Sequence, residues 1–371
     1  MEAVGIICEY NPLHNGHIYH IEEIKKLFPG KAIILVLNGY FLERGEVSVL
    51  SKENKTKLAL IYGVDLIVEL PFIFGSQSAD IFADAAIKIL GILGCSYLVF
   101  GSESNDIETL EKVAKIQDSP QYNEKVKELL ATGINYPTAL SKALDIDVNV
   151  FNPNDLLGIS YIKAINKNKL KIKPVTIKRT SDYHSLEEES NIISASNIRN
   201  KLKQKESITN YVPRKTIKLI ENISLEDLFP FIKYKILTDM DLSKYLTVDE
   251  GIENRLKEKI IDAKNLEEFI MNIKTKRYTY NKISRMLVHI LIGLPKEINK
   301  LASLEYIKIL GFNKKGREYL HNLKEDLEIS LIPIPNSLQY KYEQIAAQVY
   351  SLISKNKILI YEKSNKPIFF E

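Results

Sequence analysis

The 371-residue chain is 45% hydrophobic and 26% charged, with a formal net charge of +4, a composition that fits a soluble globular protein of about two domains and excludes a disordered or fibrous one. No apolar run approaches the ~18 residues of a membrane span, and Met1-Glu2-Ala3 puts no basic stretch ahead of the first apolar run, the pattern expected of a cytoplasmic protein without membrane contact. Cys8 and Cys95 lie in apolar, strand-like contexts and form no CxxC or Cys/His pattern, so they read as reduced core residues and no zinc site is expected.

Val4–Cys8 is a short, apolar run that reads as a buried strand, and the residues after His14-Asn15-Gly16-His17 read as a helix. Two imidazoles three residues apart at a helix N-terminus share one face. Gly16 lets a ligand approach the backbone, and exposed N–H groups with the helix dipole favour an anion of nucleoside-triphosphate shape. Ala32–Leu37 is the next strand. Ser51 reads as the N-cap of a helix through Ile61 that Gly63 ends, and Pro71 closes the strand Val64–Leu70. Tyr97–Phe100 and Lys173–Ile177 continue the βαβ rhythm of a parallel, Rossmann-like α/β sheet. Ligands of such sheets sit outside the carboxyl ends of the strands. Polar residues gather in the loops expected there, Glu9–His20, Asn38–Glu46 and Gly101–Glu103.

From about Leu186 the strand signals thin out. Ile252–Ala263, Leu266–Ile273, Lys282–Ile292 and Leu301–Ile309 carry helical periodicity, and strands are expected again near Ile358–Tyr361 and Pro367–Phe370. The expected division is an α/β domain over 1–205 and a mainly α-helical domain over 206–371. The second holds 27 Lys+Arg against 22 Asp+Glu, the first 24 against 25. Such an offset suits a polyanionic partner and a solvated lysine-rich surface equally.

The His14–His17 element resembles the signature of the nucleotidyltransferase superfamily, whose members attack the α-phosphate of a nucleoside triphosphate and release pyrophosphate. Ile193–Arg199 resembles that superfamily's second motif, a Ser-rich turn opening a helix with an Arg one turn in. Its hydroxyls and free N–H groups suit the β- and γ-phosphates, and Arg199 supplies a bidentate cation. The longer strings Gly5–His17, Phe41–Glu46 and Phe100–Glu103 narrow the resemblance to the bacterial tRNA(Met) cytidine acetate ligase family. Asp65–Pro71, Pro153–Gly158, Lys178-Arg179 followed by Tyr183-His184, Lys276–Thr279 and Leu310–Gly316 agree with it. Cys8, Leu13 and Glu43 depart from it, Glu43 standing where Gln is usual.

The resemblance implies a Rossmann-like nucleotidyltransferase domain followed by a tRNA-binding helical domain. It implies activation of acetate by ATP to acetyl-adenylate, then transfer to the wobble cytidine of elongator tRNA(Met) to give N4-acetylcytidine, with AMP and pyrophosphate released. Acetate is already ionised, so the first step chiefly needs positioning and charge neutralisation. His14, His17 and Arg199 are the expected catalytic residues. Ile7, Cys8, Glu9, Tyr10, Asn11, Gly16, His20, Gly101, Asn154, Arg179, Ser194 and Ser196 are the expected ATP contacts. Mg2+ on the triphosphate is expected to need few protein ligands, and no side chain is assigned to metal. Lys276, Arg277, Tyr278, Lys282 and Arg285 alternate cations with aromatics as an RNA surface would, and Lys314 and Lys315 could extend it. No protein partner is expected.

Two other functions use the same residues: a small-molecule adenylyltransferase, against which the second domain argues, and a catalytically silent RNA-binding protein, against which the intact His/Ser/Arg set argues. Structural roles compete at single positions. His20 can pack beneath its helix, Arg44 and Glu46 can pair to fix their loop, and Lys52, Asp65 and Glu69 read as structural pairing. His289 falls on an apolar helical face as a core residue would, His184 lies in a polar, acid-rich loop, and His321 has no supporting context.

Overall fold

The computed structural model describes residues 2–134, 136–144, 152–179, 191–323 and 327–371. Seven strands form one sheet in the order β5-β4-β1-β2-β3-β6-β7: β1 (Ala3–Cys8), β2 (Ala32–Asn38), β3 (Leu66–Leu70), β4 (Tyr97–Ser102), β5 (Lys173–Lys178), β6 (Ile309–Asn313) and β7 (Ile368–Phe370). The first five are parallel to one another, with Ile6 opposite Leu35 and Leu35 opposite Ile67. The fully buried Val, Ile and Leu of β2 and β3 reflect helices on both faces. Helices Ala79–Ile92 and Pro153–Lys167 cover one face, Asn15–Leu27 and Lys52–Ile61 the other.

The sequence expectations differ from the structure at two points in the last third of the chain. Leu301–Ile309 is not a helix: the helix Ile298–Leu301 ends there, and the chain continues into β6, which pairs antiparallel with β3, Leu66 opposite Phe312. Ile358–Tyr361 lies in a helix, Ile358–Ser364, rather than a strand. Short apolar runs carry no period that separates the two states, and partners distant in sequence decide between them. The expected strand near Pro367–Phe370 is present as β7. Strands from both halves of the chain thus share one sheet, in which β6 and β7, parallel to each other, run antiparallel to the first five.

The helices Phe229–Thr238, Ile252–Ile260, Leu266–Ile273, Tyr280–Ile292 and Leu338–Tyr350 form a second core, into which the loop after β2 inserts Tyr40, Phe41 and Val47 and the short helix Phe72–Gly75 after β3 inserts Phe72 and Ile73. Lys52, fully buried, pairs there with Glu69, Glu343 (3.4 Å) and Glu362 (2.8 Å), and Lys308 pairs with Glu362 (2.6 Å). The pairing expected of Lys52 and Glu69 is therefore part of a larger cluster joining sheet and helices. His289 is a core residue, its Nε2 2.7 Å from the Ser76 carbonyl oxygen. No helix among the described residues is long and apolar enough to cross a membrane.

Candidate active site

The carboxyl ends of β1, β4 and β5 open on a cavity of about 560 Å³. His14 is the N-cap of Asn15–Leu27: its Nδ1 accepts from the Gly16 N–H at 3.0 Å, and the His17 Nδ1 accepts from the His14 N–H at 3.2 Å. The rings lie 3.9 Å apart. With both Nδ1 atoms accepting, the proton of each neutral imidazole sits on Nε2. Burial, with the nearby charges of Arg179 and Arg199, pulls His14 down to about 3. Burial, then the imidazoles of His14 and His20, holds His17 well below the ordinary imidazole range. His20 is pulled down to about 4, mainly by burial. The pair is a set of neutral N–H donors.

This changes the expected source of anion binding. The Asn15 N–H donates to the Tyr211 carbonyl (3.0 Å), the Gly16 N–H to His14, and the His17 N–H to the His14 carbonyl (2.9 Å). The first-turn N–H groups are thus already satisfied, and the imidazole Nε2–H groups remain. Gly16 is needed by His14 itself, since an added Cβ would come 2.9 Å from the imidazole Cε1.

The second motif supplies the backbone donors. Ser194 caps Ala195–Lys203, accepting from the Asn197 N–H at 3.2 Å, while the N–H groups of Ala195 and Ser196 have no partner among the described residues. Arg199 donates to the Asn11 carbonyl (2.8 Å) and to both Glu46 oxygens (2.9 and 2.7 Å). Asn15, between the two histidines, ties the motifs together: its Nδ2 donates to the carbonyls of Asn191 and Asn210, each at 2.9 Å. On the opposite wall Glu103 accepts from Asn154 Nδ2 (2.5 Å) and the Asp155 N–H (3.1 Å) and lies 3.7 Å from Arg179 Nε. Arg179 crosses Gly101, where a Cβ would meet its side chain at 3.4 Å. The N–H groups at the start of Ala195–Lys203, three guanidinium groups (Arg44, Arg179 and Arg199) and two imidazole donors around one cavity make a polyphosphate site.

Comparison with known proteins agrees. Residues 1–365 match the HIGH Nucleotidyl Transferase family model. The tRNA(Met) cytidine acetate ligase of Geobacillus sp. (strain WCH70) is 38% identical over 99% of this chain and 100% of its own, and that of Caldicellulosiruptor saccharolyticus is 36% identical over 100% and 99%. The chain belongs to the tRNA(Met) cytidine acetate ligase family. The apo crystal structure of Thermotoga maritima TmcAL aligns over 100% of both chains with a TM-score of 0.90 at 27% identity. The form bound with alpha-thio ATP aligns over 100% of this chain and 99% of its own with a TM-score of 0.87.

Every residue expected at the ATP site of a ligase of this family lines the cavity: Ile7 to Asn11, His14, Gly16, His17, His20, Gly101, Asn154, Arg179, Ser194, Ser196 and Arg199. Sequence reasoning did not assign Asn15, Glu103, Tyr161 or Asn281. Glu103 stood in a quoted motif. Tyr161 and Asn281 lie on helices whose approach to the cavity no local pattern reveals. Glu46 pairs with Arg199, across the cavity from its own loop. Tyr183 and His184 lie outside the described residues.

The expected RNA residues separate. Lys276 and Arg277 are exposed just before Tyr280–Ile292, the helix whose Asn281 lines the cavity; Arg277 pairs with Glu250 at 2.8 Å. Tyr278 is buried, its hydroxyl donating to the Asp249 carbonyl at 2.6 Å, and Lys282 Nζ lies 4.1 Å over its ring, so it offers no open face to a base. Arg285 pairs with Glu43 at 3.0 Å. Lys314 and Lys315 follow β6 at the amino edge of the sheet, opposite the cavity, where Lys315 donates to the Lys31 carbonyl (2.5 Å) and lies 3.5 Å from Asp65.

Proposed function

We propose that this protein activates acetate with ATP and transfers the acetyl group through acetyl-adenylate to the wobble cytidine of elongator tRNA(Met), releasing pyrophosphate and AMP. The observation that carries the reading is the convergence of His14, His17 and the Ser194–Arg199 turn on one cavity that the helical core also walls. In this scheme the Nε2–H groups of His14 and His17 meet the α-phosphoryl oxygens, while the free N–H groups of Ala195 and Ser196 with Arg199 hold the leaving pyrophosphate. Arg179, steadied by Glu103, completes the charge balance. The apolar side of the cavity, with Phe82, Phe100 and Leu157, offers room for adenine and the acetate methyl.

Mg2+ enters this reading as the ion travelling with the triphosphate. Among the described residues no group of three or more His, Cys, Asp or Glu stands together as a cage, and phosphate oxygens with water supply the coordination such an ion prefers. The surface proposed for RNA is the side of Lys276, Arg277 and Lys282, adjoining the cavity through Asn281; Lys314 and Lys315 lie away from it. At an exposed surface the Arg277–Glu250 pair is worth little and yields readily to phosphate.

The test is pyrophosphate exchange into ATP with and without acetate, followed by nucleoside mass spectrometry of tRNA from a strain lacking the protein. Acetate-dependent exchange and loss of N4-acetylcytidine are the expected results. Exchange driven by a mononucleotide would instead mark a small-molecule adenylyltransferase. In the K276A/R277A variant, acetylation of tRNA should fall at least tenfold more than exchange; an equal fall would remove the RNA role of this surface.

A further inference from the structure

The two half-reactions of the acetate-ligase reading, on which this inference rests, make different demands on the cavity. Acetate attacks phosphorus as an anion and needs no base. The N4 amine of cytidine must lose a proton as it becomes an amide. A proton acceptor is therefore required on a wall whose polar groups are largely occupied.

The signature histidines do not qualify, and the Nε2 of His20 is buried out of reach of a substrate. The Nδ1 atoms of His14 and His17 accept backbone N–H groups, so the outward Nε2 atoms carry hydrogen and have no lone pair to offer. Both oxygens of Glu46 are held by Arg199. Both oxygens of Glu103 are held as well, by Asn154 and by the Asp155 N–H. Glu43 also has an Oε2 without a bond among the described residues, but its Oε1 is bonded to the Arg285 guanidinium at 3.0 Å, a cation that opposes protonation of this carboxylate.

Glu9 differs. It stands just past the carboxyl end of β1, and its Oε1 accepts from Asn38 Nδ2 and from the Glu43 N–H, each at 2.8 Å, which fixes the carboxylate. Its Oε2 has no hydrogen bond or ion pair among the described residues, and the side chain lines the cavity. The loop that donates to it is clamped in turn to the helix Tyr280–Ile292: Ser284 Oγ donates to the Gly45 carbonyl (2.7 Å) and Arg285 to the Glu43 carbonyl (3.2 Å). Glu9 thus stands between the phosphate-facing histidines and the wall supplied by the helical core.

We propose that Glu9 is the general base of the acetyl-transfer step, its Oε2 taking the proton of the cytidine N4 amine. The N4 lone pair adds to the acetyl carbon, and the N4 proton passes to Glu9. The electron pair of the C–O bond to the phosphate leaves with AMP, giving N4-acetylcytidine and AMP, after which Glu9 releases its proton to water. The groups facing Glu9 are Cys8 on its own strand, Tyr161 on Pro153–Lys167, Glu43 and Glu46 on the loop after β2, and Lys55 on Lys52–Ile61; Arg44 and Arg285 act on it through Glu43. Burial raises Glu9 above the ordinary carboxylate range, opposed by its two N–H donors. A raised carboxyl is a better base for a reaction near neutral pH.

The experiment loads the enzyme with acetate and ATP to form acetyl-adenylate, then follows acetylation of a tRNA(Met) transcript in a single turnover from pH 5 to 8.5. Wild type should show a one-proton rise to a plateau. E9Q keeps an acceptor oxygen for Asn38 and the Glu43 N–H; it should slow transfer roughly 10²–10⁴-fold, erase the rise, and reduce transfer at least tenfold more than acetate-dependent exchange. E43Q should keep the rise. If E9Q fails to fold, E9D should show the rise with a lower plateau. A rise that persists in E9Q, its loss in E43Q or E9D, or an equal fall of transfer and exchange in E9Q would overturn the assignment. Absence of acetate-dependent exchange in the wild type would instead remove the ligase reading, and this inference with it.

Discussion

Substituting each signature histidine by asparagine separates two jobs that one imidazole performs. In His14→Asn the Oδ1 takes the place of Nδ1 and can still accept from the Gly16 N–H, now bonded at 3.0 Å; in His17→Asn it can still accept from the His14 N–H, now at 3.2 Å. Asparagine is among the best N-cap residues, so stability should stay within about 1 kcal/mol of wild type. Both variants lose the Nε2–H. Loss of one preorganised donor to developing charge costs roughly 10²–10³ in rate, about 2.7–4 kcal/mol. Glutamine at the N-cap reverses the trade: its amide reaches toward the Nε2 position while the cap is lost, so His14→Gln should recover part of the rate and lose about 1 kcal/mol of stability. Acetate-dependent pyrophosphate exchange reads the first quantity and urea unfolding the second. If His14→Asn and His17→Asn kept exchange within threefold of wild type, the imidazoles would be helix caps and the donor assignment would fail.

Acid should destabilise the protein earlier than ordinary histidines would allow. His14, His20 and His289 are held at about 3, 4 and 4, chiefly by burial. The unfolded chain then binds more protons below about pH 6.5, and stability is lost as pH falls from there toward the folded values. At pH 5 the loss is about 2 kcal/mol per buried histidine. Urea midpoints from pH 7 to 5 check this, and a flat profile would show that these groups ionise without unfolding. Gly45→Ala should be severely disruptive, because Gly45 has φ of +74° and an added Cβ would overlap the backbone of Ser284 and Arg285. A drop of at least about 2 kcal/mol in stability, together with loss of tRNA acetylation, is expected; a variant of wild-type stability would mean that the loop and helix part without cost.

The residues that announce chemistry were legible because their signals are local. Val4–Cys8, followed by a turn and a helix, places His14 and His17 at the strand's carboxyl end by chain geometry alone, and Ser194 with Arg199 one turn later needs only a helix to align them. The loops after β1, β2 and β4 could be assigned to one edge because parallel strands share direction. The last third of the chain was harder. Ile309–Asn313 becomes a strand because β3 offers an open edge, and Ile358–Ser364 becomes a helix packed against Leu338–Tyr350 with Glu362 in the buried ionic cluster. Neither partner is visible from those segments.

Sequence by itself determined the βαβ half, the histidine and serine–arginine elements and the family they mark, since strand, cap and motif are set by residues a few positions apart. Only the tertiary structure decided how these elements serve one cavity. Bonds across long sequence separations do this: Asn15 to Asn191 and Asn210, Arg199 to Asn11 and Glu46, Glu9 to Asn38 and Glu43, and Arg285 to Glu43. It also decided the protonation of the site, because burial and the Nδ1 bonds make the two imidazoles neutral Nε2–H donors. Such a state depends on what surrounds a side chain in space, which spacing along a chain does not encode.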